Sequence, residues 1–316
     1  ILGVSPHIMG KLRLGIDFSG GRNYIVRFAE PVNTQEVNAA LDNVFMEAKS
    51  ELADEETFAL NVITIGDANQ VRVSTNYRIN DNSETLDDEI EALLYEGCKQ
   101  FLPENVTLKE FTSTDINPEI GIMQSQKVGP AIADDITQSA VWAVLAALLG
   151  IFLYVLLRFR NFSFSVGALA GLAHNTLIVL GAYALLWKVM PFSMEIDQSF
   201  IAAILTVIGY SINDTVVIFD RVREYTGLYP KRARKQNIND ALNQTLSRTF
   251  STSMSTLVVL IAIFCFGGET IRGFVFALII GVVVGTYSSL CVATPLAYDI
   301  QEALDRRKAK KAALNK

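Results

Sequence analysis

Histidine and cysteine are scarce in this chain, with two and three among 316 residues. Cys98, Cys265 and Cys291 show no CxxC or Cys/His spacing. That excludes a zinc or disulfide framework legible from spacing, and it leaves cysteine usage silent on redox compartment. Cys98 reads as a small buried apolar side chain. With His7 and His174 the only histidines, the soluble half has no nucleophile–base–orienter set, and no metal or cofactor is expected. Ser19-Gly20-Gly21 is too short for a phosphate loop. The clusters Asp54-Glu55-Glu56 and Asp87-Asp88-Glu89 read as solvated surface. No signal-peptide pattern opens ILGVSPHIMG, and no initiating Met. The expectation is a fragment of a longer protein whose preceding membrane helix ends in this stub.

Charge is divided unevenly. Residues 1–139 hold 23 Asp/Glu against 10 Lys/Arg, whereas residues 140–316 hold 10 against 17. An acidic first half speaks against nucleic acid as a partner. The second half contains five apolar runs, roughly 140–157, 162–187, 198–219, 250–267 and 273–297, each near the length needed to cross a bilayer. Pro191 and Gly267-Gly268 mark two connections. Arg158 and Arg160 sit in the first link, KRARK (231–235) in the third, and six further cations in the tail. The positive-inside rule places these in the cytoplasm and residues 12–125 outside, in the periplasm. KRARK is a topogenic loop that also meets anionic lipid heads.

The soluble half alternates strand and helix signals. LRLGIDF and RNYIVRF suggest a hairpin around Ser19-Gly20-Gly21. Residues 34–48 put Val37, Leu41, Val44 and Phe45 on one helical face. FALNVITIG and QVRVSTNY predict a second strand pair about residues 67–69. A helix over 84–101, capped by Ser83, follows, and LKEFTSTDI closes as a strand. The order strand–helix–strand–strand–helix–strand predicts a ferredoxin-like α/β domain. Gly129-Pro130 reads as a hinge leading into an amphipathic turn. The expected division is a stub at 1–11, an outer domain at 12–125 and a linker at 126–139. A five-helix membrane domain at 140–298 and a basic tail at 299–316 complete it.

Ionisable residues inside the spans reduce to Asp214, His174 and, at the margin, Arg248. A central carboxylate costs on the order of 3 kcal/mol to insert, which makes it a functional candidate. Asp214 lies six residues before Asp220, and Arg248 begins the next span from the same side, so the two can meet. Ser211 and Asn213 on one span, and Ser247, Ser251 and Ser255 at intervals of four on the next, supply polar patches. His174-Asn175-Thr176 form a third on the second span, and Thr286 to Ser289 a fourth on the last. The alternative for these groups is inter-helical glue. An aspartyl intramembrane protease needs a second carboxylate in the spans, and a serine type lacks a GxSxG-like context.

GYSINDTVVIFDRVRE (209–224), GIDFSGG (15–21), VGPAIADDI (128–136) and LSRTFSTSMSTL (246–257) together resemble the SecF family. SecF belongs to the SecD–SecF accessory complex of bacterial protein secretion, in the resistance-nodulation-division superfamily. The resemblance implies a six-helix membrane protein of the inner membrane, with the first helix absent here. It implies coupling of the proton-motive force to late preprotein export, with Asp214 and Arg248 in proton movement. Implied partners are SecD, fused or separate, the SecYEG channel, YajC, YidC, translocating preproteins, protons and lipids. The rival readings are a small-molecule or lipid exporter of the same superfamily, and a scaffold for SecD and the channel that moves no protons.

Overall fold

The protein is described by a computed structural model covering residues 14–51, 58, 60–65, 67–81, 83, 85–187, 189–190, 192 and 194–314. The stub at 1–11 with His7, the acidic loop at 54–56 and Pro191 lie outside the described residues.

The outer domain begins with a single helical turn, α1 (Ile16–Ser19), followed by β1 (Gly21–Arg27). Then come α2 (Thr34–Glu51), β2 (Leu60–Thr64), β3 (Gln70–Thr75) and α3 (Leu86–Cys98), a 3-10 turn at Lys99–Phe101, α4 (Leu108–Thr112) and β4 (Gly121–Val128). The strands form one antiparallel sheet in the order β2-β3-β1-β4, which is the ferredoxin-like arrangement. Alternation on the strands sends Tyr24, Val26, Val62, Val71 and Val73 to one face. There they meet Val37, Leu41 and Phe45 of α2 and Ile90 and Leu94 of α3. Cys98 is fully buried, and burial pushes its thiol up to about 12, so it stays protonated and inert.

Three local expectations need correction. The described part of LRLGIDF, residues 14–18, is not a hairpin strand; residues 12 and 13 lie outside the described residues. Gly15 starts α1, because its amide donates to the Ile196 carbonyl at 2.8 Å and Asp17 accepts from the Gln198 amide at 3.1 Å. Long-range contacts override the short alternation. Gly20 and Gly21 then turn the chain with φ of 71° and 149°. A Cβ on Gly21 would lie 2.9 Å from the Thr75 carbonyl oxygen. LKEFTSTDI is not the closing strand either. Thr107 and Glu110 form a capping box that makes Leu108–Thr112 helical, and the strand is the polar run GIMQSQKV. Thr85, not Ser83, occupies the cap of α3.

The membrane domain consists of α5 (Pro130–Phe159), α6 (Phe162–Leu186), α7 (Gln198–Leu228), α8 (Arg234–Phe266) and α9 (Glu269–Ser288). A π-helical turn at Ser289–Ala293 joins α9 to α10 (Thr294–Leu314) without a break in the rod. Among the described residues, five rods are long and apolar enough to cross a membrane. The helices overrun the apolar runs because their polar ends continue as helix beyond the hydrocarbon. α7 is the axis of the bundle, packed against α6, α8 and α9. Small residues bring the rods close: Gly281 abuts Val207, and Gly167 and Gly171 abut Ala293. α5 is the most peripheral, with almost none of its apolar length buried.

Residues 126–139 do not form a separate linker. β4 ends at Val128, Gly129 caps α5, and Pro130 stands at its first turn. The expected amphipathic turn is therefore the start of α5 itself. Ile16, Val128 and Ala133 pack together over this joint.

Candidate functional site

The site is built where α6, α7, α8 and α9 converge. Asp214 is buried, with 5% of its surface exposed, and its Oδ2 has no hydrogen-bond partner among the described residues. Buried polar oxygens are ordinarily satisfied, so an orphaned carboxylate oxygen calls for an explanation in function or strain. Ser211, one helical turn earlier, and Thr215 share the buried face of α7. The Thr215 hydroxyl donates to the Ser211 carbonyl at 3.1 Å, which leaves the acid uncompeted.

Asn175 on α6 is 1% exposed. Its Nδ2 donates to the Gly281 carbonyl at 3.2 Å, while its Oδ1 has no partner among the described residues. Gly285 makes room for this arrangement, since a Cβ there would sit 3.0 Å from Asn175 Nδ2 and 3.2 Å from Ser211 Oγ. On α8 the buried stripe is Thr245, Thr249 and Ser253. Ser253 shares a 2.6 Å hydrogen bond with Thr286 of α9, and Thr249 Oγ1 is unpartnered among the described residues. A polar seam thus runs through the bundle with its acid at the centre.

The sequence-predicted residues divide into two sets. Ser211 and Asp214 face this seam. His174 stands beside it, half-buried, with Nδ1 and the Ser288 hydroxyl 2.7 Å apart. Asn213 projects outward, as do Arg248, Ser251 and Ser255. Arg248 is close enough for its charge to act on Asp214, but the expected direct ion pair is not formed. The physical reason is helical phase. Residue 248 lies 100° around α8 from Thr249, so the guanidinium leans along the bundle surface while Thr249 points in. Ser255 satisfies itself on the Ser251 carbonyl at 2.8 Å.

Sequence reasoning placed Asn175 in a polar cluster with His174 and Thr176 and missed Thr249 and Ser253. Two serine/threonine stripes with the same four-residue spacing run along α8, Ser247-Ser251-Ser255 and Thr245-Thr249-Ser253. Spacing alone does not say which of them faces inward. The signal available was that the second stripe continues in phase with Ala241 and Leu260, both apolar and both buried. At the joint, Gly129 has an extended backbone with φ −69° and open space around its Cβ position, so neither torsion nor crowding demands glycine there.

A second polar region closes the outer end of α7. Asp197 caps the helix by accepting from the Phe200 amide at 2.8 Å. Next to it Glu195 accepts from Arg72 at 2.9 Å and from Asn61 at 3.0 Å, both on the outer domain.

Comparison with known proteins places this architecture. The family described as "Protein export membrane protein SecD/SecF, C-terminal" matches residues 108–303, and the "SecD/SecF GG Motif" matches residues 10–32. The protein translocase subunit SecF of Rhodothermus marinus is 39% identical over 92% of this chain and 84% of its own length. That of Thermodesulfovibrio yellowstonii is 35% identical over 91% and 83%. The crystal structure of SecDF, a translocon-associated membrane protein from Thermus thermophilus, superposes with a TM-score of 0.72 at 31% identity. It covers 93% of this chain, which spans about a third (35%) of that longer one.

Proposed function

The chain belongs to the SecF branch of the SecD/SecF family of protein-export membrane proteins, and on that premise we propose that it couples proton movement to late steps of preprotein export. It is a multi-pass membrane component of the Sec accessory apparatus and works with SecD. The proposal adds the energy source, the site and the orientation.

One observation carries it: a buried carboxylate, Asp214, with an unpartnered oxygen in the middle of a membrane-spanning helix. A fixed structural acid would be closed by its cation, and this one is not. Arg248 stands within electrostatic reach on the bundle surface. Protonating Asp214 removes a buried charge and Arg248's counterpart at once, which changes the preferred packing of α7 against α8. A proton crossing the membrane supplies about 2.3 kcal/mol per 100 mV, enough to shift such an equilibrium more than tenfold. Ser211, Ser251, Ser255, Asn213 and His174 act in support by hydrating the seam and the Arg248 face. Cations in the first and third links and the tail hold those segments in the cytoplasm of the inner membrane. The ferredoxin-like domain then lies in the periplasm, where Gly129 and Pro130 connect it to α5. SecYEG, with YajC and YidC, is the channel assembly it serves.

The test is to make Asp214→Asn and Arg248→Met separately, then measure export together with assembly on SecD. Loss of export with assembly intact is the expected result, and it also opposes a scaffold role. Full export by Asp214→Asn in an intact complex would refute proton coupling at this residue.

A further inference from the structure

Besides the β4–α5 joint, the outer domain meets the bundle at a second, compact seam whose centre is a single carboxylate. Glu195, in the connection between α6 and α7, accepts from Arg72 Nη2 of β3 at 2.9 Å and from Asn61 Nδ2 of β2 at 3.0 Å. Both ionic partners are mostly shielded, with side-chain exposures of 18% and 15%. A pair of that kind is stronger than a surface ion pair and more directional. Around it the backbone is tied as well. The Gly15 amide donates to the Ile196 carbonyl, and Leu14 and Ile196 form a parallel bridge. The Gln198 amide, the first of α7, donates to Asp17 Oδ2 at 3.1 Å.

These bonds converge within four residues of the start of α7, the helix that carries Asp214. Sixteen residues of unbroken helix separate Gln198 from Asp214, a rod of about 24 Å. A rod transmits a shift or rotation at one end to the other. The seam is also largely polar. Beside Glu195 a small cleft of about 30 Å³ is lined by Arg72, Asp197, Tyr183, Phe200 and Phe274. Polar interfaces between domains favour relative movement over rigid fusion.

We infer that Glu195 is a positioning residue that clamps the open sheet face of the outer domain to the end of α7, so that a change at Asp214 reaches the outer domain through this clamp and not only through the β4–α5 joint. The inference rests on the proton-coupling reading above and names the part that carries it outward.

The experiment uses the chain assembled with SecD in membranes and follows amide hydrogen exchange along β2 and β3. Four proteins are compared: the parent, Asp214→Asn, Glu195→Gln and the double variant. Asp214→Asn is expected to change exchange at residues 60–64 and 70–75 by roughly tenfold, the scale of one shielded charge-assisted bond. In the Glu195→Gln background that change should shrink below about twofold. A merely structural Glu195 would lower protection without altering the response to Asp214→Asn. Equal responses in both backgrounds therefore overturn the clamp. So does no response in the parent; if export is nonetheless lost in Asp214→Asn, proton coupling stands and only the clamp falls. Arg72→Gln removes the same bond from the other side and takes over if Glu195→Gln does not assemble. The exchanged pair Arg72→Glu with Glu195→Arg should restore the response, and failure to restore it would also count against the clamp.

Discussion

Among the described residues, the outer domain and the membrane domain each bury one charged side chain, and they treat it in opposite ways. Arg22 on β1 is 1% exposed, and its Nε is held by Asp87 Oδ1 at 2.8 Å. Its Nη1 donates to the Tyr77 carbonyl at 3.3 Å, and Lys127 shares Asp87. Only Nη2 is unpartnered among the described residues. Asp214, nearly as deep, has its nearest counter-charge displaced to the surface of the neighbouring helix. A charge bonded on several sides is fixed in one state, because any change of state breaks bonds. A charge with an open partner is cheap to neutralise and to restore. The first organises a fold, and the second suits a cycle.

That contrast can be broken by exchange of function for stability. Asp214→Asn should lower the rate of preprotein export more than tenfold while leaving the thermal unfolding of the membrane domain unchanged or slightly raised. A large fall in melting temperature would place Asp214 with Arg22 as a structural charge. Asp87→Asn should do the reverse. It is expected to cost the outer domain about 2 kcal/mol, the scale of a hydrogen bond to a charged group, with denaturant unfolding as the measure.

Acid titration sharpens the same point inside the outer domain. Desolvation opposes the Asp87 charge, but Arg22 and Lys127 outweigh it and hold the carboxyl below its ordinary 3.8. The stability it contributes is present above that value and is lost as pH falls through the lower folded one. Glu91 is shifted the other way, above its ordinary 4.5, by burial and by Asp88 and Asp87. Its ionised form is disfavoured in the fold, so stability declines as pH rises through 4.5 and beyond. Outer-domain stability should therefore pass through a shallow maximum between these windows. Glu91→Gln should flatten the upper limb, and Asp87→Asn the lower.

The smallest effects separate the two stripes of α8. Thr249→Val removes a buried hydroxyl that has no partner among the described residues, so stability should stay level or improve by up to about 1 kcal/mol. Export should nevertheless fall several-fold, because the hydroxyl lies on the inward stripe. Ser251→Ala, on the outward stripe, should change export by less than about twofold. Equal effects of the two would mean that the stripes do not differ in role.

Much of the architecture was legible before any coordinates. Long apolar runs announced the spans because lipid leaves a backbone no option but helix. Helices α2 and α3 and the β2–β3 pair followed from clean periodicity. What escaped depends on partners far away in the chain. Residues 15–19 alternate like a strand, but Ile196 and Gln198 hold them as a helical turn. β4 is an edge strand whose exposed residues Gln124 to Lys127 carry no apolar alternation, so LKEFTSTDI looked better and was wrong. At the site, Asp214 was conspicuous because charge in an apolar span is rare. Thr249 and Ser253 were not, since hydroxyl groups are common in membrane helices, and only the packing phase distinguishes them.

The passage of β4 into α5 through the single residue Gly129 makes the outer sheet a lever arm. Eight residues of strand extend roughly 26 Å from that fulcrum. A tilt of about 10° in the helix below would swing the far end of the strand by about 4 to 5 Å over that length. Because α5 is the rod least held by its neighbours, it can tilt against fluid lipid rather than against packed side chains. Small angles within the bilayer would thereby become displacements as large as a residue or more of an extended polypeptide.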